Sequence, residues 1–311
     1  MIVRFTVPVA AALVTAGLLT APAATAAPIC PGAGQPVIRV AEIPGTALQA
    51  LTVDPDGRAY VADLTSGRVF RIDAPGAAPS VVATVPAAGG LAWLPDGRLL
   101  IGYGSDARVL VGDAARAAGI VVFDPATGTV SPFADGLSAA SGLTVAHDGT
   151  VFATNDFGDL VARIAPDGTV QADWAHFPSV NGGVLDPANR YIYASRTFVN
   201  PGVSRIPVAA PWAPESLLDF TGGDLLAAPD DPTLDSLERP VLPLNPSGRI
   251  IRIDAPGRYC ELGSGDGETS VVTYGRGSTG FAAGHLYAAT FTGIVDEIPG
   301  GFDPAATTLA P

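Results

Sequence analysis

Three segments of this chain can be laid over one another almost residue for residue, and that repetition limits the fold more tightly than any composition. They are Leu51-Thr-Val-Asp-Pro-Asp-Gly-Arg58, Leu91-Ala-Trp-Leu-Pro-Asp-Gly-Arg98 and Leu143-Thr-Val-Ala-His-Asp-Gly-Thr150. Each starts apolar, meets an Asp-Gly pair, and runs into a second apolar stretch at 59–62, 99–102 or 151–154. Asp-Gly between two such runs predicts a hairpin, because glycine reaches positive φ without strain. A fourth copy covers Gly183 to Arg190 and Tyr191 to Ala194. A fifth, degraded copy covers Pro232 to Arg239 and 240–243, and a looser sixth uses Ser270 to Tyr274 and His285 to Thr290.

The residue two before each apolar start gives Gln49, Gly89, Ser141, Asn181, Asp230 and, loosely, Thr269, at spacings of 40, 52, 40, 49 and 39. Such periods match four-stranded propeller blades. Third-strand candidates recur six times: Arg68–Ile72, Ile120–Phe123, Val161–Ile164, Val203–Ile206, Arg249–Ile253 and Ile294–Ile298. Outer strands follow near Val81, Val130, Val170, Leu217 and Tyr259, but nothing strand-like follows Ile298. An unclaimed strand waits at the other end, Val37 to Ile43. The expectation is therefore an all-β, six-bladed β-propeller of antiparallel blades, closed by the N-terminal strand, which hides an otherwise open edge. Blade five carries Pro240 and Pro243 in its second strand, which predicts a short, irregular or displaced strand there.

With 48% hydrophobic and 15% charged residues, a large core is available and disorder is excluded. The net charge of −13 argues against nucleic acid or anionic membrane as partner. Every basic residue is arginine, which removes Schiff-base, P-loop and Ser-Lys chemistry. Residues 1–26 read as a secretory signal: Arg4, an apolar run from Val7 to Leu19, then Ala24-Thr-Ala26 before the cut. Residues 27–311 then form one propeller domain, secreted to the cell envelope or exterior, without a membrane anchor and monomeric. Cys30 and Cys260 read as a bridged pair rather than two free thiols, as an oxidising compartment favours.

Several of these segments together resemble the senescence marker protein/gluconolactonase (regucalcin-like) family. The resemblance rests on Asn181-Gly182, Pro229-Asp230-Asp231, the Thr150 to Gly158 segment and the Gly280 to Tyr287 segment. It implies a divalent cation, calcium foremost, at one mouth of the central channel, held by residues that open the inner strands. Carried over by position, the metal set is Asn181, Asp230, Gln49 and Ser141. Asn181 and Asp230 keep the family's oxygen donors, while Gln49 stands for a glutamate and Ser141 for an asparagine, which weakens the site. The resemblance also implies that Asp230 is both metal ligand and general base for water attacking a sugar lactone. The competing reading is a non-catalytic extracellular propeller that binds a small molecule or protein at the same mouth. A quinoprotein dehydrogenase stands third.

Other motifs carry less. Gly275 to Gly280 matches GxGxxG but joins two β-like runs, which predicts a turn, and no GxSxG occurs. Trp93 and Trp174 read as packing between sheets, and His147 as a surface residue beside a turn. His176 reads as packing or surface on an outer strand, and His285 as a structural residue opening a strand.

Overall fold

The computed structural model describes residues 27–306, so the predicted leader lies outside the described residues. Six four-stranded antiparallel sheets are arranged as propeller blades. Their innermost strands are Leu48–Val53, Leu91–Trp93, Leu143–Val145, Val180–Leu185, Thr233–Leu234 and Thr269–Tyr274 for blades one to six. The order within each blade is sequential except in the sixth, where Ile38–Glu42 supplies the outermost strand by pairing with Ile294–Glu297. The N-terminal closure expected from the sequence is therefore present. The looser sixth repeat slips by one residue. Ser270, not Thr269, sits in the bulge between the Thr269↔Thr290 and Val271↔Ala289 pairs, as Gln49 does between Leu48↔Asp63 and Ala50↔Ala62.

The Asp-Gly turns form for the expected reason. Gly57, Gly97 and Gly149 lie at φ +80°, +84° and +83°. Gly57 also lies against the backbone at Gly277 and Thr279, so a side chain there would meet both strain and a clash. The GxGxxG segment does form a turn, bridging Gly275 to Ala283 and Gly277 to Ala282.

The core lies between blades, because each sheet presents apolar side chains to both neighbours. Tyr60 of blade one meets Trp93 of blade two edge-on at 5.1 Å, within a cluster that also holds Leu99 and Ile101. Trp174 packs on Phe152 at 4.7 Å, beside blade-four Ile192 and Ala194. Each such large side chain contributes about 1.5–3 kcal/mol by leaving water. His285 holds Glu297 at 2.7 Å on the neighbouring strand, a structural contact. Cys30 and Cys260 are joined, with Cα atoms 5.0 Å apart and a sequence separation of 230.

One expectation fails. Pro240–Leu244 is a regular five-residue strand, fully buried, and it pairs without a register shift to the third strand of its blade. The irregularity falls on its inner neighbour, which keeps only Thr233–Leu234 and an isolated bridge from Pro229 to Leu244. Between Pro229 and Thr233 the inner strand advances four residues while its partner advances three, so an extra residue bulges out. The Pro243 carbonyl still accepts from Asp230 N at 3.1 Å, so the amide Pro243 lacks falls opposite this bulge, where no ladder bond is demanded.

Candidate functional site

The inner strands all start at one end of the channel, and their first residues form a ring. Small residues let the ring close. A Cβ on Gly142 would lie 2.6 Å from the Asn181 carbonyl, and one on Gly182 would lie 2.5 Å from the Asp231 Cα. Gly90 N donates to the Ala140 carbonyl at 2.9 Å, and Asp231 N to the Ser270 carbonyl at 3.1 Å. Backbone thus meets backbone across neighbouring blades, and the ring divides the channel into a mouth and an interior.

Asp230 occupies the mouth and is almost fully buried. Its Oδ1 accepts from Asn181 Nδ2 at 2.7 Å and from Asp231 N at 3.0 Å, while Oδ2 accepts from Asn245 Nδ2 at 3.2 Å. Burial pushes its carboxyl well above the usual range, and the charges of Asp231 and Asp156 push the same way. Asp156, after the second strand of blade three, is raised to about 6 by burial. Asp231 is raised to about 7 by burial alone. Asp156 and Asp231 keep some accessible surface, yet lie deep enough for loss of bulk water to disfavour their charge. None of the three makes an ion pair among the described residues.

Of the residues expected from the sequence, Asn181 and Asp230 are brought together. Ser141 reaches Asp156 instead, its Oγ donating at 3.5 Å. Gln49 is buried at its bulge and makes no side-chain hydrogen bond to the other three among the described residues. Blade two opens with Gly89, whose pro-Cβ direction is filled by the buried Ser105 Oγ of the same blade and by the Ala140 carbonyl at 2.5 Å. Sequence reasoning missed Asp156 and Asn245. Each lies two residues past the second apolar run of its blade, so extending the repeat alignment beyond that run would have found them.

The donors at the mouth are all oxygens or amides, which suits a hard cation, and three recessed carboxylates without a cationic partner are a charge such an ion would offset. Among the described residues no three His, Cys, Asp or Glu side chains converge tightly enough to hold one unaided. The neutral oxygens of Asn181, Gln49 and Ser141 would have to complete its shell.

Beyond the ring lies a cavity of about 210 Å³, lined by inner strands of all six blades. Asp231 lines it, whereas Asp230, Asn181, Gln49 and Ser141 do not. Four threonines at one register, Thr52, Thr144, Thr233 and Thr273, encircle it, with Arg276 and the exposed His147 towards the far end.

This architecture has close counterparts among solved structures. A gluconolactonase from Xanthomonas campestris superposes with a TM-score of 0.67 at 17% identity, over 84% of this chain and 88% of its own. The fold is that of the gluconolactonase and regucalcin propellers. A calcium-binding regucalcin from Agrobacterium tumefaciens superposes at 0.64 with 18% identity, over 86% of this chain and 96% of its own. A catalytically inactive virginiamycin B lyase from Staphylococcus aureus, solved with quinupristin, superposes at 0.56 with 15% identity, over 86% and 90%. No protein-family model matches the chain, and no curated protein matches it in sequence.

Proposed function

We propose that this protein is an exported hydrolase of lactones or related esters, dependent on a divalent cation, with Asp230 at the centre of its site. The observation that carries the reading is Asp230 itself: buried, gripped by two side-chain amides, and raised in the company of Asp156 and Asp231 with no arginine paired to any of them among the described residues. Structural aspartates seldom stand this way, because a buried charge without a partner is costly.

The holding residues would be Asp230, Asn181, Gln49 and Ser141, with Asp156 as a second carboxylate. What a calcium-like cation supplies when bound is polarisation of the carbonyl oxygen and relief of carboxylate repulsion. Asn181 and Asn245 fix the rotamer of Asp230 and donate to its charged form. Asp230 takes the proton of a water whose oxygen bonds to the carbonyl carbon. The ring C–O bond then breaks, and the proton passes to the departing alkoxide, leaving a hydroxy acid. The Cys30–Cys260 bridge, and the absence among the described residues of a helix long and apolar enough to cross a membrane, are compatible with export.

A second reading, a non-catalytic propeller binding a small molecule, is favoured by the neutral Gln49 and Ser141 and by the lack, among the described residues, of three acidic side chains converging on one point. Calorimetric titration with calcium at pH 7, paired with hydrolysis of a lactone panel before and after chelation, separates the two. The hydrolase reading requires saturable calcium binding and turnover that chelation removes. Ligand binding without turnover on any lactone leaves the binding propeller.

A further inference from the structure

The loops around Asp230 expose a series of large apolar side chains. Leu110 and Val111 are each 60% exposed and Leu226 is 84% exposed, and Phe157, Phe198 and Leu225 are exposed too. All six sit in loops that either follow a second strand or lead into an inner strand, which is the end of the channel where Asp230 lies.

Those loops are tied into one rim. Asn155 Nδ2 donates to the Val109 carbonyl at 3.2 Å, and Asp159 N to Asp113 Oδ2 at 2.7 Å, which holds the 107–115 segment on blade three. Phe157 stacks on Phe198 with ring centroids 4.6 Å apart. Ser179 donates to the Asp156 carbonyl at 2.8 Å and accepts from Phe198 N at 2.7 Å, while Thr197 donates to the Pro229 carbonyl at 2.7 Å. Asn245 N donates to the Ala228 carbonyl at 3.1 Å, fixing the approach of the Gly222–Leu226 turn. Each apolar side chain is thus a few residues from a polar one at the mouth: Phe157 follows Asp156, Phe198 follows Thr197, and Leu226 precedes Pro229-Asp230.

We infer that the ligand of this mouth is amphipathic, a lactone or ester whose carbonyl reaches Asp230 while an alkyl chain or aryl group lies on the Leu110–Phe157–Phe198–Leu226 rim. A bare sugar lactone would leave this surface in contact with water, whereas an acyl chain would cover it. An anionic lipid surface is disfavoured as the occupant by the charge of −13. This assignment of ligand class rests on the hydrolase reading for its carbonyl chemistry but not for the rim.

The test uses the full mature chain with calcium and a series of δ-lactones bearing alkyl tails of increasing length, alongside a sugar δ-lactone. Expected is a kcat/KM that rises about two- to fourfold per added methylene over the first several carbons. The slope should flatten in Phe198→Ser and in Leu226→Ser, with loss of roughly tenfold on the longest tail. In parallel, binding of the matching unhydrolysable δ-lactams is measured by calorimetry. Turnover without any dependence on tail length, or preference for the sugar lactone, overturns the inference and leaves the hydrolase. Lactam affinity that grows with tail length, without turnover of any lactone, supports the inference and overturns the hydrolase. Lactam affinity independent of tail length, with the rim substitutions abolishing binding to phosphatidylcholine vesicles, makes the rim a lipid-docking face and overturns the inference.

Discussion

The two ends of the inner strands both carry buried aspartates, and they treat them oppositely. At the turn end, Asp54, Asp186 and Asp235 each face an arginine four residues on. Arg58, Arg190 and Arg239 approach them at 3.0, 3.0 and 2.6 Å. The same carboxylates also accept backbone amides of their own turns, as Asp235 does from Leu237 N at 3.0 Å and Arg239 N at 2.9 Å. At the opposite end, Asp230 is held by amides and Asp156 by the Ser141 hydroxyl, and among the described residues no arginine pairs with either of them or with Asp231 just inside the ring. The same residue type is a staple at one end and a liability at the other. What separates a structural aspartate from a functional candidate here is the supply of counter-charge, not burial.

That contrast can be broken most decisively at Asp230. Asp230→Asn is expected to lower kcat on a responsive lactone by about 10²–10⁴-fold, with thermal unfolding in chelator unchanged or raised. A fall in melting temperature instead would make Asp230 a staple like the others. Next in size, Asp186→Ala should cost about 2–4 kcal/mol of stability by denaturant titration, since it leaves the backbone amides of Arg190 and Tyr191 without their acceptor. Its kcat should stay within twofold of the parent.

A smaller effect is expected from pH. Asp156 and Asp231 are raised by the fold to about 6 and about 7. Their neutral forms are therefore favoured in the native state. The stability this brings is complete below the ordinary carboxylate pKa and is lost as pH rises through 6 and 7. Melting in chelator should accordingly fall between pH 4 and 8, and added calcium should restore it most at the upper end. A profile that calcium leaves untouched counts against a cation at the mouth. The smallest change expected is in Gln49→Glu, which adds a carboxylate to the ring and should tighten calcium binding by roughly tenfold in calorimetry. Unchanged affinity would remove Gln49 from the site.

How much of this was legible beforehand follows the same division. The repeat gives the six blades and the closing strand because the Asp-Gly turn and the two-residue alternation are local properties. Asn181 and Asp230 could be paired from that alignment, since both open an inner strand. Asp156 and Asn245 share a repeat position just past the second apolar run, but that this position overhangs the mouth is decided by packing between blades, which the repeat alone does not show. Pro240 and Pro243 misled for a related reason. Whether a missing amide matters depends on what faces it: Pro240 only begins its strand, and the assembled blade shows that Pro243 faces a bulge.

The closing strand has a consequence for how the chain comes together. Ile38–Glu42 precedes every other described strand in the chain, and its partner Ile294–Glu297 follows them all. Until the far end exists, the blades form an open arc whose first segment has no edge to join, and contacts of such high separation are slow to form. The bond between Cys30 and Cys260 acts beside this seam, holding the beginning of the chain near the place where the end must arrive. Circularity in this protein is therefore a late event in the life of each molecule, and a chain shortened at its far end would be left with nothing for its near end to meet.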